Sequence, residues 1–169
     1  MKKLRLSGFT RESVVDGPGI RAVVFAQGCP HHCPGCHNPE TWDPEGGYEL
    51  ALDDILYMIE NNGLLQGVTL TGGEPFFQPE AMSELAERIK SGGLDVVTYT
   101  GYTIEELLEL GEGNPAILRL LKCTDILIDG PYRQKERDLS LAFRGSRNQR
   151  LIDVGATLRE GRVVLWHPR

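Results

Sequence analysis

The sequence has no long hydrophobic run. Of its 169 residues, 40% are apolar, and no unbroken apolar run is longer than that at residues 22–26. A membrane-spanning helix needs roughly 20 consecutive apolar residues, so no membrane partner is expected. The basic start, Met1-Lys2-Lys3, is followed closely by Arg5 and Ser7, which interrupt any apolar stretch. A secretory signal is therefore not expected, and the cytoplasm is the expected compartment.

Positive charge is also scarce. The chain has 18 Lys and Arg against 24 Asp and Glu, for a net charge of −6, which argues against a nucleic-acid partner. Residues 1–132 hold 9 basic and 20 acidic side chains, whereas residues 133–169 hold 9 basic and 4 acidic ones. This asymmetry is consistent with chance clustering on a solvated surface, or with a basic face that meets an anionic ligand or partner.

Cysteine is rare and unevenly placed. Three of the four cysteines, Cys29, Cys33 and Cys36, form a C-x3-C-x2-C pattern, and Cys123 is isolated. Disulfides are not expected in a cytosolic protein, but three close thiolates can surround a metal centre. Structural zinc normally takes four protein ligands, and His31, His32 or His37 is a candidate fourth ligand.

An iron–sulfur centre is the other interpretation of this pattern. A [4Fe–4S] cluster usually takes four cysteines. With three, one iron has no protein ligand and is open to a chelating small molecule. The spacing alone therefore leaves a cluster and a zinc site as alternatives.

Strands and helices alternate along the chain. Short β-branched or apolar runs predict four strands, at residues 20–27, 67–70, 94–99 and 125–128. Helical periodicity and capping residues predict helices between them. One starts near Leu52 and stops at residues 61–63, and the next starts at Pro79 and stops at residues 92–93. Two more are predicted at residues 103–110 and 115–122. Residues 151–166 are interpreted as one or two final strands, with a hairpin turn at Glu160-Gly161. The expectation is an α/β fold with a mostly parallel sheet, in a single domain spanning residues 1–169.

Three chemically unusual segments follow the predicted strands. The first is the segment from Gly28 to about Pro44, here called the cysteine loop. The others are Thr71-Gly72-Gly73-Glu74-Pro75 and Asp129-Gly130-Pro131-Tyr132. Ligands of parallel sheets bind outside the carboxyl ends of the strands. We therefore expect these segments to converge on one edge of the sheet.

The cysteine spacing resembles that of the radical S-adenosylmethionine enzymes, and residues 71–75 resemble the Gly-Gly-Glu motif of that superfamily. Residues 15–21 (VDGPGIR), 25–29 (FAQGC) and 37–42 (HNPETW) are similar to the glycyl-radical-enzyme activases. Residues 129–132 (DGPY) and 144–150 (RGSRNQR) resemble the compact branch of that group, the anaerobic ribonucleoside-triphosphate reductase activating proteins. One departure is Gly35, where many superfamily members have an aromatic residue; the compact activases tolerate glycine there.

This resemblance implies a partial (βα) barrel of the radical S-adenosylmethionine type, with Cys29, Cys33 and Cys36 holding a [4Fe–4S] cluster. S-adenosylmethionine would chelate the open iron and be cleaved reductively to a 5′-deoxyadenosyl radical, with no catalytic side chain beyond the cluster and cofactor. Gly72 and Gly73 would let the backbone approach the methionyl ammonium, and Glu74 would accept from it. The expected cofactor-binding residues are Gly35, Cys36, His37, Asn38, Gly72, Gly73, Glu74, Thr100 and Asp129.

The implied partners are two proteins. One is a large glycyl-radical enzyme, the anaerobic ribonucleoside-triphosphate reductase, and the other is an external one-electron donor such as a flavodoxin or a ferredoxin. Two alternatives stay open from the sequence: a small radical enzyme similar to the 7-carboxy-7-deazaguanine synthases, and a zinc-stabilised binding module without turnover.

Overall fold

The fold alternates strands and helices around one seven-stranded sheet. The computed structural model describes residues 2–168. The strands are β1 Lys3–Ser13, β2 Arg21–Ala26, β3 Tyr48–Ala51, β4 Gly67–Gly72, β5 Asp95–Tyr99, β6 Ile126–Asp129 and β7 Arg150–Asp153. The helices are α1 Leu52–Glu60, α2 Pro79–Ser91, α3 Ile104–Gly113, α4 Pro115–Cys123 and α5 Val154–Glu160.

The sheet has the strand order β3-β1-β2-β4-β5-β6-β7. Its four central strands, β2, β4, β5 and β6, run parallel to one another. The outer strands β1, β3 and β7 pair antiparallel with their neighbours. The prediction of an α/β fold with a mostly parallel sheet is confirmed, and the carboxyl ends of the parallel strands lie at one edge.

The helix boundaries follow the local capping signals. Pro79 opens α2 in its first turn, where proline costs no hydrogen bond. Thr103 and Glu106 form a reciprocal capping box at the start of α3, which satisfies two backbone donors that a helix start leaves unpaired. These two helix starts were predicted from the sequence and are confirmed.

At the end of the chain the prediction of a strand is confirmed by β7, but the hairpin turn predicted at Glu160-Gly161 is wrong. Residues 151–166 form β7 and then the helix α5, and they do not form a strand hairpin. Gly161 is the left-handed end of α5, with φ at 71°. Asp153 caps the start of this helix by accepting from the Ala156 amide. Part of the expected pairing is retained. Ile152 and Leu165 form an isolated antiparallel bridge, and the amides of Asp153 and Trp166 donate to the carbonyls of Val164 and Leu151 at 2.9 and 2.8 Å.

The large hydrophobic core lies between the helices and one face of the sheet. All five helices contribute buried side chains to it, and so do alternate residues of the strands, such as Val24, Leu70 and Val96. A smaller cluster on other strand positions contains Val97 and Ile128. Among residues 2–168, no helix is both long enough and apolar enough to cross a membrane.

Candidate functional site

Four loops meet at the carboxyl edge of the parallel strands. They follow β2, β4, β5 and β6, and they line a cavity of about 300 Å³. The cavity is lined by all three clustered cysteines together with His37, Asn38, Gly72, Gly73, Thr100, Gly101, Gly130 and Tyr132. The three segments that the sequence predicted to converge therefore do so.

The cysteine loop is anchored at its base by backbone hydrogen bonds. The amides of Gly28 and Cys29 donate to the carbonyls of Thr41 and Trp42, at 2.7 and 3.2 Å. At the tip of the loop, the Cys36 amide donates to the Cys33 carbonyl at 3.0 Å. All four cysteines of the chain are free thiols. The loop therefore presents three reduced thiols to one cavity without a disulfide.

The two glycines after β4 pack directly against the cysteine loop. The Gly73 amide donates to the Ala26 carbonyl, and the Glu74 amide donates to the Gly28 carbonyl, both at 2.8 Å. A Cβ on Gly72, whose φ is 95°, would lie 2.5 Å from the Ala26 nitrogen. A Cβ on Gly73 would lie 2.4 Å from the Gly28 carbonyl oxygen. Only glycine allows this close approach of two backbones.

The Glu74 carboxylate lies fully buried beneath the cavity. It accepts hydrogen bonds from the Thr100 hydroxyl at 2.9 Å and from the backbone amides of Gly101 and Phe76 at 2.8 and 3.1 Å. His31 Nε2 lies 2.6 Å from its Oε1. Burying a carboxylate is costly unless it is hydrogen-bonded, and these contacts join the cysteine loop, the Gly-Gly loop and the β5–α3 loop.

Burial also affects the titration of the site. It raises the pKa of the Cys29 thiol, and the negative charge of Glu74 raises it further. Burial likewise raises the pKa of the cavity-lining Tyr99 phenol. Cys29 without a metal is therefore a neutral thiol, and binding a metal ion there must displace its proton.

The carboxylate of Asp129, a predicted cofactor contact, is engaged by two neighbouring elements of the fold. Its buried carboxylate accepts from the Ile104 amide at the start of α3, at 2.9 Å, and pairs with the Arg150 guanidinium at 2.6 Å. Arg150 also pairs with Glu105, and both acidic partners raise its pKa. Asp129 is not among the residues that line the cavity; it ties α3 to β7 at the cavity's border.

The chain matches a family model described as a 4Fe-4S single cluster domain over residues 15–152. It is 35% identical over 144 residues to the anaerobic ribonucleoside-triphosphate reductase-activating protein of Escherichia coli K12, covering 80% of this chain and 90% of that protein. The chain belongs to the family of these activating proteins. The family assignment makes it a radical S-adenosylmethionine enzyme with a [4Fe–4S] cluster, as its resemblance to the activases predicted.

Other relatives of this activating-protein family and of neighbouring families also match. The corresponding activating protein of Enterobacteria phage T4 is 35% identical over 81% of this chain and 86% of that protein. Pyruvate formate-lyase 1-activating enzyme of Escherichia coli K12 is 30% identical over 96% of this chain and 65% of that protein. Among solved structures, QueE from Escherichia coli matches 60% of this chain and 53% of that chain, with a TM-score of 0.47 and 19% identity.

The residues around the cavity fit the cofactors of the activating-protein family. The indole Nε1 of Trp42, which lines the cavity, is buried and has no hydrogen-bond partner within residues 2–168. Such a donor is costly to leave unpaired and is suited to a bound acceptor. No group of three His, Cys, Asp or Glu side chains in the same range is placed to hold a single metal ion. The matched family model, a 4Fe-4S single cluster domain, favours an iron–sulfur cluster over the zinc site that the cysteine spacing also allowed.

The predicted cofactor contacts fall into two groups. Cys36, His37, Asn38, Gly72, Gly73 and Thr100 line the cavity. Gly35, Glu74 and Asp129 lie outside its lining. Gly35 instead packs closely against Gln134. A Cβ at this position would lie only 2.9 Å from the Gln134 side chain. Whether any of these residues contacts the cofactor stays a prediction.

Several cavity residues were not predicted from the sequence. They include Trp42, Tyr99, Tyr132 and Gln149. Tyr132 and Gln149 lie in the segments that carried the resemblance to the activases, and Trp42 ends the segment after the third cysteine. Tyr99 is the last residue of β5, and the rule that ligands bind at strand ends could have identified it.

Proposed function

We propose that this chain generates a glycyl radical on an anaerobic ribonucleoside-triphosphate reductase. The relatives from Escherichia coli and phage T4 are named as activating proteins of that reductase. The observation that supports the proposal most directly is the meeting of three free thiols and a close-packed Gly-Gly loop at one cavity. The partial (βα) barrel expected from the resemblance is consistent with an open site that a protein substrate can reach.

In this proposal Cys29, Cys33 and Cys36 would hold a [4Fe–4S] cluster as its thiolate ligands, and S-adenosylmethionine would bind beside it in the same cavity. When bound, the two cofactors supply a one-electron cleavage of the sulfonium whose radical product removes a hydrogen atom from a glycine. The protein's own task is to orient the reactants and to exclude water.

The Gly-Gly loop supplies the approach to the cofactor. Gly72 and Gly73 bring backbone rather than side chains to the cavity wall, which leaves room for a ligand beside the cysteine loop. His37, Asn38 and Thr100 are the proposed polar contacts to the cofactor, since each lines the cavity. Both Glu74 oxygens already accept protein donors. We therefore infer that Glu74 acts mainly by positioning these loops.

The remaining partners are also proposals. A cluster that must be reduced by one electron needs an external donor, and a flavodoxin or a ferredoxin is of the required class. Four free thiols agree with a reducing compartment such as the cytoplasm.

The test compares Cys33→Ala with Cys123→Ala, each purified and reconstituted without oxygen. Cys123 lies at the end of α4 and is absent from the cavity lining, so its variant is the matched control. We expect the wild type and Cys123→Ala to bind roughly four irons per chain and to form 5′-deoxyadenosine with dithionite. Cys33→Ala should lose the cluster and this product.

Electron paramagnetic resonance then tests the substrate. We expect a glycyl radical spectrum only when the large reductase is present. Formation of 5′-deoxyadenosine by Cys33→Ala at the wild-type rate would contradict the assigned ligands. Colourless wild-type protein with one zinc per chain would contradict the function itself.

A further inference from the structure

Two segments beside the cavity form a basic surface. Residues 133–138 and 144–149, here called the basic loop pair, lie side by side. The Asp138 amide donates to the Gly145 carbonyl at 3.2 Å, and the Arg147 amide donates to the Glu136 carbonyl at 2.9 Å. Arg137 and Ser146 form an antiparallel bridge between the two segments. The backbone thus holds cations from two separate parts of the chain together.

The basic loop pair has the opposite charge to the rest of the protein. It carries five basic and two acidic side chains, in a chain whose net charge is −6. Lys135, Arg137 and Arg147 are exposed, and within the described residues no side-chain hydrogen bond or ion pair involves them. Their charges are therefore available to an incoming partner.

This surface lies directly against the cysteine loop. The Gln134 side chain packs on Gly35, between the second and third cysteines. The rings of His37 and Tyr132 meet edge to face, with centroids 5.3 Å apart. Pro34 and Gly35, at the tip of the cysteine loop, are exposed. A protein that docks on the basic loop pair therefore sits beside the thiols.

We propose that the basic loop pair is the docking surface for an acidic one-electron carrier protein, an inference that rests on the proposed function. The carrier would be oxidised by one electron, and the cluster that the three clustered cysteines would hold would be reduced by that electron, with no bond made and no proton transferred. Opposite charge steers such an encounter and sets its orientation. A position next to the exposed tip of the cysteine loop favours an electron carrier over the reductase, because a carrier needs proximity to the metal centre and not access to the cavity.

The test uses the double variant Lys135→Glu/Arg137→Glu and the control Arg119→Glu/Lys122→Glu. Both variants change the net charge equally, and the control residues are exposed on α4, outside the cavity lining. Stopped-flow absorbance would follow oxidation of a photochemically reduced acidic flavodoxin by each reconstituted protein. We expect the loop variant to react about tenfold more slowly at low ionic strength. This difference should shrink as salt rises, and the control should react like the wild type.

Dithionite separates this proposal from the function on which it rests. A small reductant needs no docking surface, so product formation with dithionite should be unchanged in both variants. If the wild type fails with dithionite, the proposed function is wrong. If it succeeds and the loop variant accepts electrons from flavodoxin at the wild-type rate, the docking surface is wrong.

Two further measurements complete the test. If the loop variant loses iron, Lys135→Gln/Arg137→Gln replaces it, with a smaller expected slowing of about threefold, and an unchanged rate again overturns the proposal. Affinity for the reductase is measured on the same proteins. Weakened reductase binding together with normal electron transfer from flavodoxin would assign this surface to the reductase instead.

Discussion

At the scale of single residues, the backbone of the cysteine loop leaves no room for a side chain at Gly73. A Cβ there would lie 2.4 Å from the Gly28 oxygen and 3.0 Å from the Thr41 oxygen, both of them backbone atoms of the cysteine loop. We expect Gly73→Ala to cost about 1–3 kcal/mol of stability and to reduce the iron bound per chain, because the cysteine loop must move. Iron analysis after anaerobic reconstitution checks this expectation.

Gly63→Ala is the control for this substitution. A Cβ on Gly63 has no heavy atom within 4 Å, so this variant should bind iron like the wild type. Full iron content in Gly73→Ala, combined with weaker binding of S-adenosylmethionine, would show that the glycine serves the cofactor rather than the loop.

The site residues that could be predicted are those that form a recognisable pattern with their close neighbours in the sequence. Three cysteines within eight residues and two consecutive glycines after a strand indicate a metal loop and a close backbone approach, whatever the rest of the fold does. Trp42 could not be predicted in this way. Its importance comes from an unpaired, buried indole nitrogen, and burial of a single atom depends on packing across the whole site.

At the scale of elements, Asp129 at the end of β6 connects this strand to α3 and β7. Its carboxylate binds the start of α3 and the Arg150 guanidinium, which explains its burial without a cofactor. We expect Asp129→Asn to destabilise the protein by about 1–3 kcal/mol, because the buried contacts lose a negative charge. Urea unfolding measures this change, and Asp54→Asn on the exposed side of α1 should stay within about 0.5 kcal/mol of the wild type.

The sequence-based expectation for Asp129 gives a different result in the same experiment. A cofactor contact would leave the unfolding midpoint of Asp129→Asn unchanged and would weaken the binding of S-adenosylmethionine. That outcome would overturn the structural role. The two measurements together therefore decide which task the residue performs.

Elements with strong local signals could be predicted, and elements defined by distant pairing could not. The capping box at Thr103 and the proline of α2 are complete within four residues. Strand β1 pairs with β2 along one edge and with β3 along the other. The apolar alternation within β1 is short, and no strand was predicted there from the sequence. Residues 154–160 contain Val, Thr and Leu, which suit a strand, but the Asp153 cap and Gly161 make them a helix.

At the scale of the whole molecule, the core and the site are separate. Among residues 2–168, the large core contains no side chain from residues 28–47, the segment that includes the three clustered cysteines. Residues 28–47 are instead joined to the sheet by polar contacts. These are backbone hydrogen bonds, hydrogen bonds from the side chains of Arg5 and Gln27 to carbonyls of this segment, and the contact between His31 and Glu74. We therefore expect the sheet and helices to fold without the metal centre.

This separation predicts how the protein responds to loss of its metal. We expect protein stripped of iron under anaerobic conditions to keep its secondary structure and to unfold cooperatively, because the buried apolar surface that stabilises the fold is unchanged. Hydrogen exchange followed by mass spectrometry should show faster exchange in residues 28–47 after stripping, since local opening depends on local contacts. Exchange in α2 and β4, which lie within the core, serves as the internal control. Loss of protection throughout these two elements would contradict the separation, because it would mean that the metal centre holds the whole fold together.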